Sequence, residues 1–299
     1  MKKTISCLSF AILGAVFLLI IGLVGYQTIS GRNLELGSKA WLLYSQARVI
    51  LTADRFRGQQ DGLFNNIIFV HRSVGKGILD QGKLRETLTE NGFQVWDQGY
   101  RVEGLRDPSG NNTGLTYFIP GDNTDPDGLY ELFSETISSI PINGLSELFL
   151  HDVIIIKSCF TASDIGDDAK LEADKQYYRA ISEVMGKHPE KLFILLTQPP
   201  RNPAETDPAS ARRARELASW LISDEFIRGH ANIKVFNLFD LLAEPDQAAK
   251  DANTLKSIYQ NGTDSHPNDA GSLAAGKQFV EFVIQAVDTY QAEYSINSK

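Results

Sequence analysis

From about residue 62 onward, short apolar-rich runs alternate with longer amphipathic stretches. Residues 67–70 read Ile-Ile-Phe-Val, a continuous apolar run, and residues 93–96, 152–156, 192–196 and 233–238 read as four more strands. A short continuous apolar run is what a strand buried on both faces requires. The intervals between them read as helices, at 79–88, 167–185, 209–226 and 269–290. Asn91-Gly92 closes the first, and Gly186 and Pro189 lie just past the second, as helix-stop signals do. Strands separated by helices imply right-handed crossovers and a parallel sheet covered on both sides. The predicted fold is therefore α/β, a three-layer αβα sandwich around a five-stranded parallel sheet. Residues 99–128 break the rhythm. They are rich in Gly, Asn, Asp and Pro, and a loop of that length in a compact domain usually has a function or is disordered.

The pattern ahead of the domain is different. Residues 5–26 form a 22-residue stretch without a charged side chain, long enough to cross a bilayer core as a helix. Lys2 and Lys3 precede it, so residues 1–4 are expected in the cytoplasm and everything after residue 26 outside. We read the segment as an uncleaved anchor. A cleaved signal peptide is the rival reading, though its apolar region would usually be shorter, and no clear small-x-small site follows Gly25. Residues 27–61 follow as an amphipathic connector, with Leu42, Leu43, Ala47, Ile50 and Leu51 at helical spacing, read as a stalk helix. The folded domain is placed at 62–290, with a tail at 291–299.

A parallel sheet binds ligands beyond the carboxyl ends of its strands, and this sorts the polar residues. His151, His188 and His230 each precede a strand and belong to the opposite rim, as surface or packing residues. His71 follows the first strand, and His266 lies between the fifth strand and the last helix. The same rim collects Arg72 and Ser73, the 99–128 loop, Ser158, Cys159 and Thr161, then Gln198, Arg201 and Asn202, and finally Asp240 and Asp264. A serine, histidines and acids converging on one rim are the set that nucleophilic acyl transfer needs. The imidazole takes the hydroxyl proton, and an acid fixes the tautomer. Ser73 is the candidate nucleophile, with a helix N-cap as its plainer reading. His266 is the candidate base, and Asp264 or Asp240 its orienting acid. His71 is a candidate substrate contact or alternative base, with strand-end packing as the alternative. Cys159 is read as a small buried hydrophobe.

Two segments resemble a known family. IIFVHRSVGKGIL at 67–79 is similar to the first block of SGNH (GDSL-type) hydrolases, where the nucleophilic serine follows the first strand and a glycine comes soon after. Thr263-Asp264-Ser265-His266-Pro267-Asn268, followed by Gly271, resembles the last block, which carries the catalytic histidine before the terminal helix. The resemblance spans about residues 62–290. It implies a flavodoxin-like, SGNH-hydrolase-like sandwich and a serine esterase acting on an acyl ester, with no cofactor. Ser73, Gly75, Ser158 and Thr161 become oxyanion candidates, and His71, Arg72, Arg201 and Asn202 substrate-binding candidates. The chain departs from the pattern twice. The family's acid stands three residues before His, where this chain has Thr263, with Asp264 two before. The third block, Gly-x-Asn-Asp, is replaced by Lys157-Ser158-Cys159-Phe160-Thr161, so the asparagine donor is missing. These departures keep open a second reading, a non-catalytic surface binding or assembly module that retains the fold.

Composition narrows the partners. The formal net charge of −8 over 299 residues argues against nucleic acid, which needs a basic field. Two cysteines, Cys7 in the apolar segment and Cys159 in the domain, cannot form a disulfide framework. Export combined with the family resemblance points to an O-acyl group on an extracellular glycan as the substrate. Asn123, Asp125 and Asp127 alternate before Gly128 as oxygen ligands of a calcium loop do, with Ser134 where a twelfth-position acid would stand. The plainer reading is a turn-rich rim loop shaping the cleft.

Overall fold

The computed structural model describes residues 35–58, 63–121 and 124–297. The apolar segment 5–26 lies outside them. Among the described residues, no helix is long and apolar enough to cross a membrane.

The sheet has six strands: β1 (Asn66–Val70), β2 (Gln94–Gln98), β3 (Leu105–Arg106), β4 (Val153–Lys157), β5 (Leu192–Leu196) and β6 (Ile233–Phe236). Their order is β3-β2-β1-β4-β5-β6. The five expected strands run parallel to one another. The sixth, β3, corrects the expected count of five. It pairs antiparallel at the edge, Asp97 opposite Arg106. Two residues are too few to show a period, which is why the 99–128 stretch gave no strand signal. The chain leaves β1 first toward β2 and later toward β4, so the crevice between the carboxyl ends of β1 and β4 is the topological switch point where such sheets bind ligands.

Alternation within each apolar run divides the core. Ile68, Val70, Ile154, Ile156, Phe193 and Leu195 face one layer. This layer contains α1 (Glu35–Leu51), α4 (Pro126–Phe133), α5 (Gly144–Leu148), α6 (Asp168–Gly186) and α7 (Pro208–Leu221). Ile67, Phe69, Val153, Ile155, Leu192 and Ile194 face the other. That second layer contains α2 (Ser73–Asp80), α3 (Leu84–Glu90), α9 (Leu238–Leu242) and the long α10 (Asp269–Asn297).

Several elements differ from expectation. The helix expected at 79–88 is two helices, and α2 begins at Ser73. Lys83 adopts a left-handed φ of 55° at the break. Gly82 there meets Gly276 of α10 so closely that a side chain on either would strike the other's backbone. Residues 209–226 also divide, because Ser223 opens a short α8 (Asp224–Ile227). The connector helix is not a free stalk. Val49 of α1 and Phe56 just past it are buried in the core, and Ser45 Oγ donates to the Thr116 carbonyl at 2.9 Å. In the calcium candidate, Asp122 and Asn123 lie outside the described residues. Residues 126–133 are helical, so Asp127 and Gly128 sit in helix turns and not in an open ligating loop.

Candidate active site

The chain leaves β1 extended at Arg72 (φ −129°, ψ −159°) and turns at once into α2, which makes Ser73 the first helical residue. Arg72 is buried. Its guanidinium donates to the Gly99 carbonyl at 3.2 Å and to the Gly121 carbonyl, and stacks over Tyr100 at 4.6 Å. It therefore clamps the rim loop. The N–H groups of the first turn, from Ser73 to Gly75, have no intrahelical acceptor and sit at the positive end of the helix.

His266 arrives from the loop before α10. Three local devices hold that loop. The buried Asn202 side chain donates to the carbonyls of Gly262 (3.0 Å) and Asp264 (3.1 Å). Ser265 Oγ accepts the Asn202 N–H at 2.9 Å and donates to Glu205. Asn268 Oδ1 accepts from the Gly271 N–H at 3.0 Å, capping α10.

Within this frame His266 Nε2 lies 2.6 Å from Ser73 Oγ, and His266 Nδ1 lies 2.7 Å from Asp264 Oδ1. The same carboxylate oxygen accepts the His266 backbone N–H at 3.0 Å. A carboxylate only accepts, so Nδ1 donates the proton and the Nε2 lone pair faces the serine hydroxyl. Partial burial pulls the Asp264 carboxyl upward, but the hydrogen bonds from the His266 ring and backbone outweigh it and hold it below the usual carboxylate range. The pair is open to solvent, with the side chains 34% (His266) and 50% (Asp264) exposed. A groove of about 200 Å³ runs beside Ser73 and His266, bordered by Lys76, Asp80, Gln81 and Asp269. A larger cavity of about 570 Å³ lies at the other end of the sheet, beside His230 and Ile233.

The structure does not bring the remaining candidates to this point. Asp240 pairs with Arg215 and accepts from Asn237 Nδ2 at 2.6 Å. Ser158 Oγ is engaged with Tyr178 OH at 2.7 Å, and Thr161 Oγ1 donates to Asp125 at 2.9 Å. Arg201 pairs with Asp164 at 2.6 Å. His71 is buried under α2, with Nδ1 on the Arg72 carbonyl (2.9 Å) and Nε2 on Asp97 Oδ2 (3.0 Å). Burial pushes its imidazole down to about 4, against the carbonyl hydrogen bond. Asp97 in turn pairs with Arg85. Gly75 packs directly on His71, which leaves no room for a side chain at 75. Cys159 is buried and free.

Sequence reasoning missed Phe160. It occupies the segment that replaces the expected asparagine block, and its ring meets the His266 ring edge-on at 4.9 Å. The only sequence signal was the unusual aromatic just after a buried strand.

No family model matches the chain, and no curated protein matches it. Solved structures do. A "putative acylhydrolase" from Bacteroides fragilis is 12% identical, with a TM-score of 0.49 over 82% of this chain and 96% of that one. A "putative platelet activating factor" from Streptococcus pneumonia is 17% identical, with a TM-score of 0.46 over 82% and 95%. A GDSL-like lipase from Bacteroides thetaiotaomicron is 11% identical, with a TM-score of 0.45 over 80% and 98%. At these values the chemistry is read from Ser73, His266 and Asp264 themselves. Ser73 follows the first strand and His266 precedes the last helix of a three-layer α/β sandwich, where the sequence motifs placed them.

Proposed function

We propose that the protein is a serine ester hydrolase of the SGNH type. The observation that carries this reading is the continuous hydrogen-bonded chain from Ser73 Oγ through His266 to Asp264. Ser73 Oγ attacks the acyl carbonyl while His266 Nε2 takes its proton. Asp264 holds the ring and offsets the imidazolium charge. The carbonyl oxygen becomes an oxyanion, stabilised by the N–H groups of Ser73 and Gly75 at the start of α2. His266 then returns the proton to the departing alcohol. Water, activated by the same histidine, releases the acid from Ser73.

The groove beside Ser73 bears on the substrate. Lys76, Asp80, Gln81 and Asp269 border it, groups that suit a hydroxylated leaving group better than a long acyl chain. Together with the uncharged segment at 5–26, this supports a short acyl ester on an extracellular glycan. In this reading the chain is held at the cell membrane by residues 5–26, with the domain on the outer side, or is secreted if that segment is cleaved.

The test is turnover of p-nitrophenyl acetate and of an O-acetylated polysaccharide by the full chain and by Ser73→Ala, together with fluorophosphonate labelling. Labelling at Ser73 and its loss in the variant support the reading. The replaced asparagine block favours the second reading, a glycan-binding module, and glycan affinity without any labelling would establish that instead.

A further inference from the structure

β4 is apolar from Val153 to Ile156 and ends in a charge. Val153 and Ile155 alternate onto the α10 side of the sheet, and Lys157 continues that register. The Lys157 side chain is buried, 1% exposed, and Nζ donates to the Ser158 carbonyl at 2.6 Å. Its stem runs beneath the first turn of α2, where Cδ would lie 3.3 Å from a β-carbon at Gly75. A buried ammonium is costly to keep unless its environment uses it.

The lysine touches both walls of the site. Gly75 is two residues from Ser73, and Ser158 begins the turn that carries Phe160 to His266. The adjacent Cys159 thiol is the titratable group that acts on Lys157, and Lys157 in turn lowers His71 at the end of β1. On its other flank β5 offers only the apolar residues Leu192–Leu196, and α2 approaches it with Gly75.

We propose that Lys157 is a positioning residue of this site. Its buried ammonium fixes the spacing of the α2 first turn and the 158–160 turn, and adds positive potential where the oxyanion meets the Ser73 and Gly75 N–H groups. This rests on the ester-hydrolase reading, and it supplies a charge beneath the rim where the resemblance led us to expect an asparagine donor above it. Charges in a low-dielectric interior act over longer distances than in water. Burial brings the Lys157 ammonium down to about 8, so it is charged at neutral pH and loses its proton within a measurable range.

The test compares the full chain with Lys157→Met and Lys157→Arg in three measurements: kcat and KM from pH 6 to 10, thermal unfolding, and the His71 titration followed by NMR. For wild type, kcat should decline as pH rises through about 8. Lys157→Met should lower kcat by 10- to 100-fold with KM little changed, and abolish that decline. Lys157→Arg should restore most of kcat and move the decline above the measured range. The His71 midpoint should rise in Lys157→Met, because Lys157 lowers it and removing a nearby positive charge favours the imidazolium.

Equal impairment by Met and Arg, or an unmoved His71 midpoint, overturns the proposal. So does a wild-type profile that stays flat above pH 8, which decides the matter even if the methionine variant fails to fold. The NMR arm needs no turnover. A wild type that hydrolyses nothing, while Lys157→Met shows the His71 shift, removes the esterase reading and leaves the electrostatic role of Lys157 standing.

Discussion

The molecule contains two histidine–aspartate pairs at the same end of its sheet, and they have opposite fates. His266–Asp264 lies on a loop at the rim, with the two side chains 34% and 50% exposed. His71–Asp97 lies beneath α2 at the ends of β1 and β2, with its side chains 3% and 2% exposed. In the first pair the carboxylate takes Nδ1 and leaves Nε2 to a serine hydroxyl. In the second both ring nitrogens face oxygens of the protein itself, the Arg72 carbonyl and Asp97. A histidine serves as a base only when one nitrogen is oriented by the fold and the other meets a reacting proton. The buried pair, extended by Arg85, instead ties β2 to the connection between β1 and the helix that begins at Ser73.

The largest effect that separates the two pairs belongs to the rim. Ser73→Ala should cut ester turnover by about 10⁴-fold or more, measured on p-nitrophenyl acetate, with unchanged thermal unfolding. A variant retaining most of the activity would dissolve the contrast. Asp264→Asn should lower kcat by about 10² to 10⁴, since it leaves the imidazole without its tautomer partner. Asp240→Asn, whose carboxylate answers to Arg215, should change kcat less than twofold. A reversal of those two results would mean that the orienting acid comes from α9.

The buried pair should respond in stability. Asp97→Ala strands Arg85 and His71 in the interior. It should cost about 3–5 kcal/mol, seen as a melting point lower by roughly 10 °C, while kcat per folded molecule stays within a few-fold.

The pH dependence of stability is a finer probe. Burial holds His71 neutral down to about 4, whereas in the unfolded chain an imidazole gains its proton near about 6.5. Between those values the unfolded state binds more protons. Stability is therefore complete above about pH 6.5 and is lost as pH falls toward 4. His71→Gln should flatten this slope in urea titrations at pH 7, 5.5 and 4.5. A slope unchanged in the variant would assign the acid sensitivity elsewhere.

The smallest effect concerns packing. Phe160→Ala removes the ring that meets His266 edge-on, a contact worth about 0.5–1.5 kcal/mol. It should reduce kcat by about two- to tenfold with little change in melting point.

The sequence by itself determined the layer architecture and much of the site. Five apolar-rich runs became the five parallel strands because a strand covered on both faces must be mostly apolar, whatever its neighbours. Ser73 and His266 could be placed on one rim because chain position relative to a strand end fixes the rim on which a residue emerges, and the two side chains do meet there. Asp264 was legible as a candidate because a loop can bend a two-residue spacing into contact. Composition and order cannot show where a side chain points once it passes the strand end. His71 and Arg72 stand beside Ser73 in the chain, yet the turn into α2 sends them inward to Asp97 and to the Gly99 and Gly121 carbonyls. The break after α2 depended on Gly82 meeting Gly276, almost two hundred residues away in sequence. The two-residue β3 exists only through its pairing with β2. Lys157 read as one more polar residue at a strand end until tertiary packing enclosed it beneath Gly75. Local pattern decides what a segment must bury, but which polar groups are buried with it depends on partners brought together from distant parts of the chain.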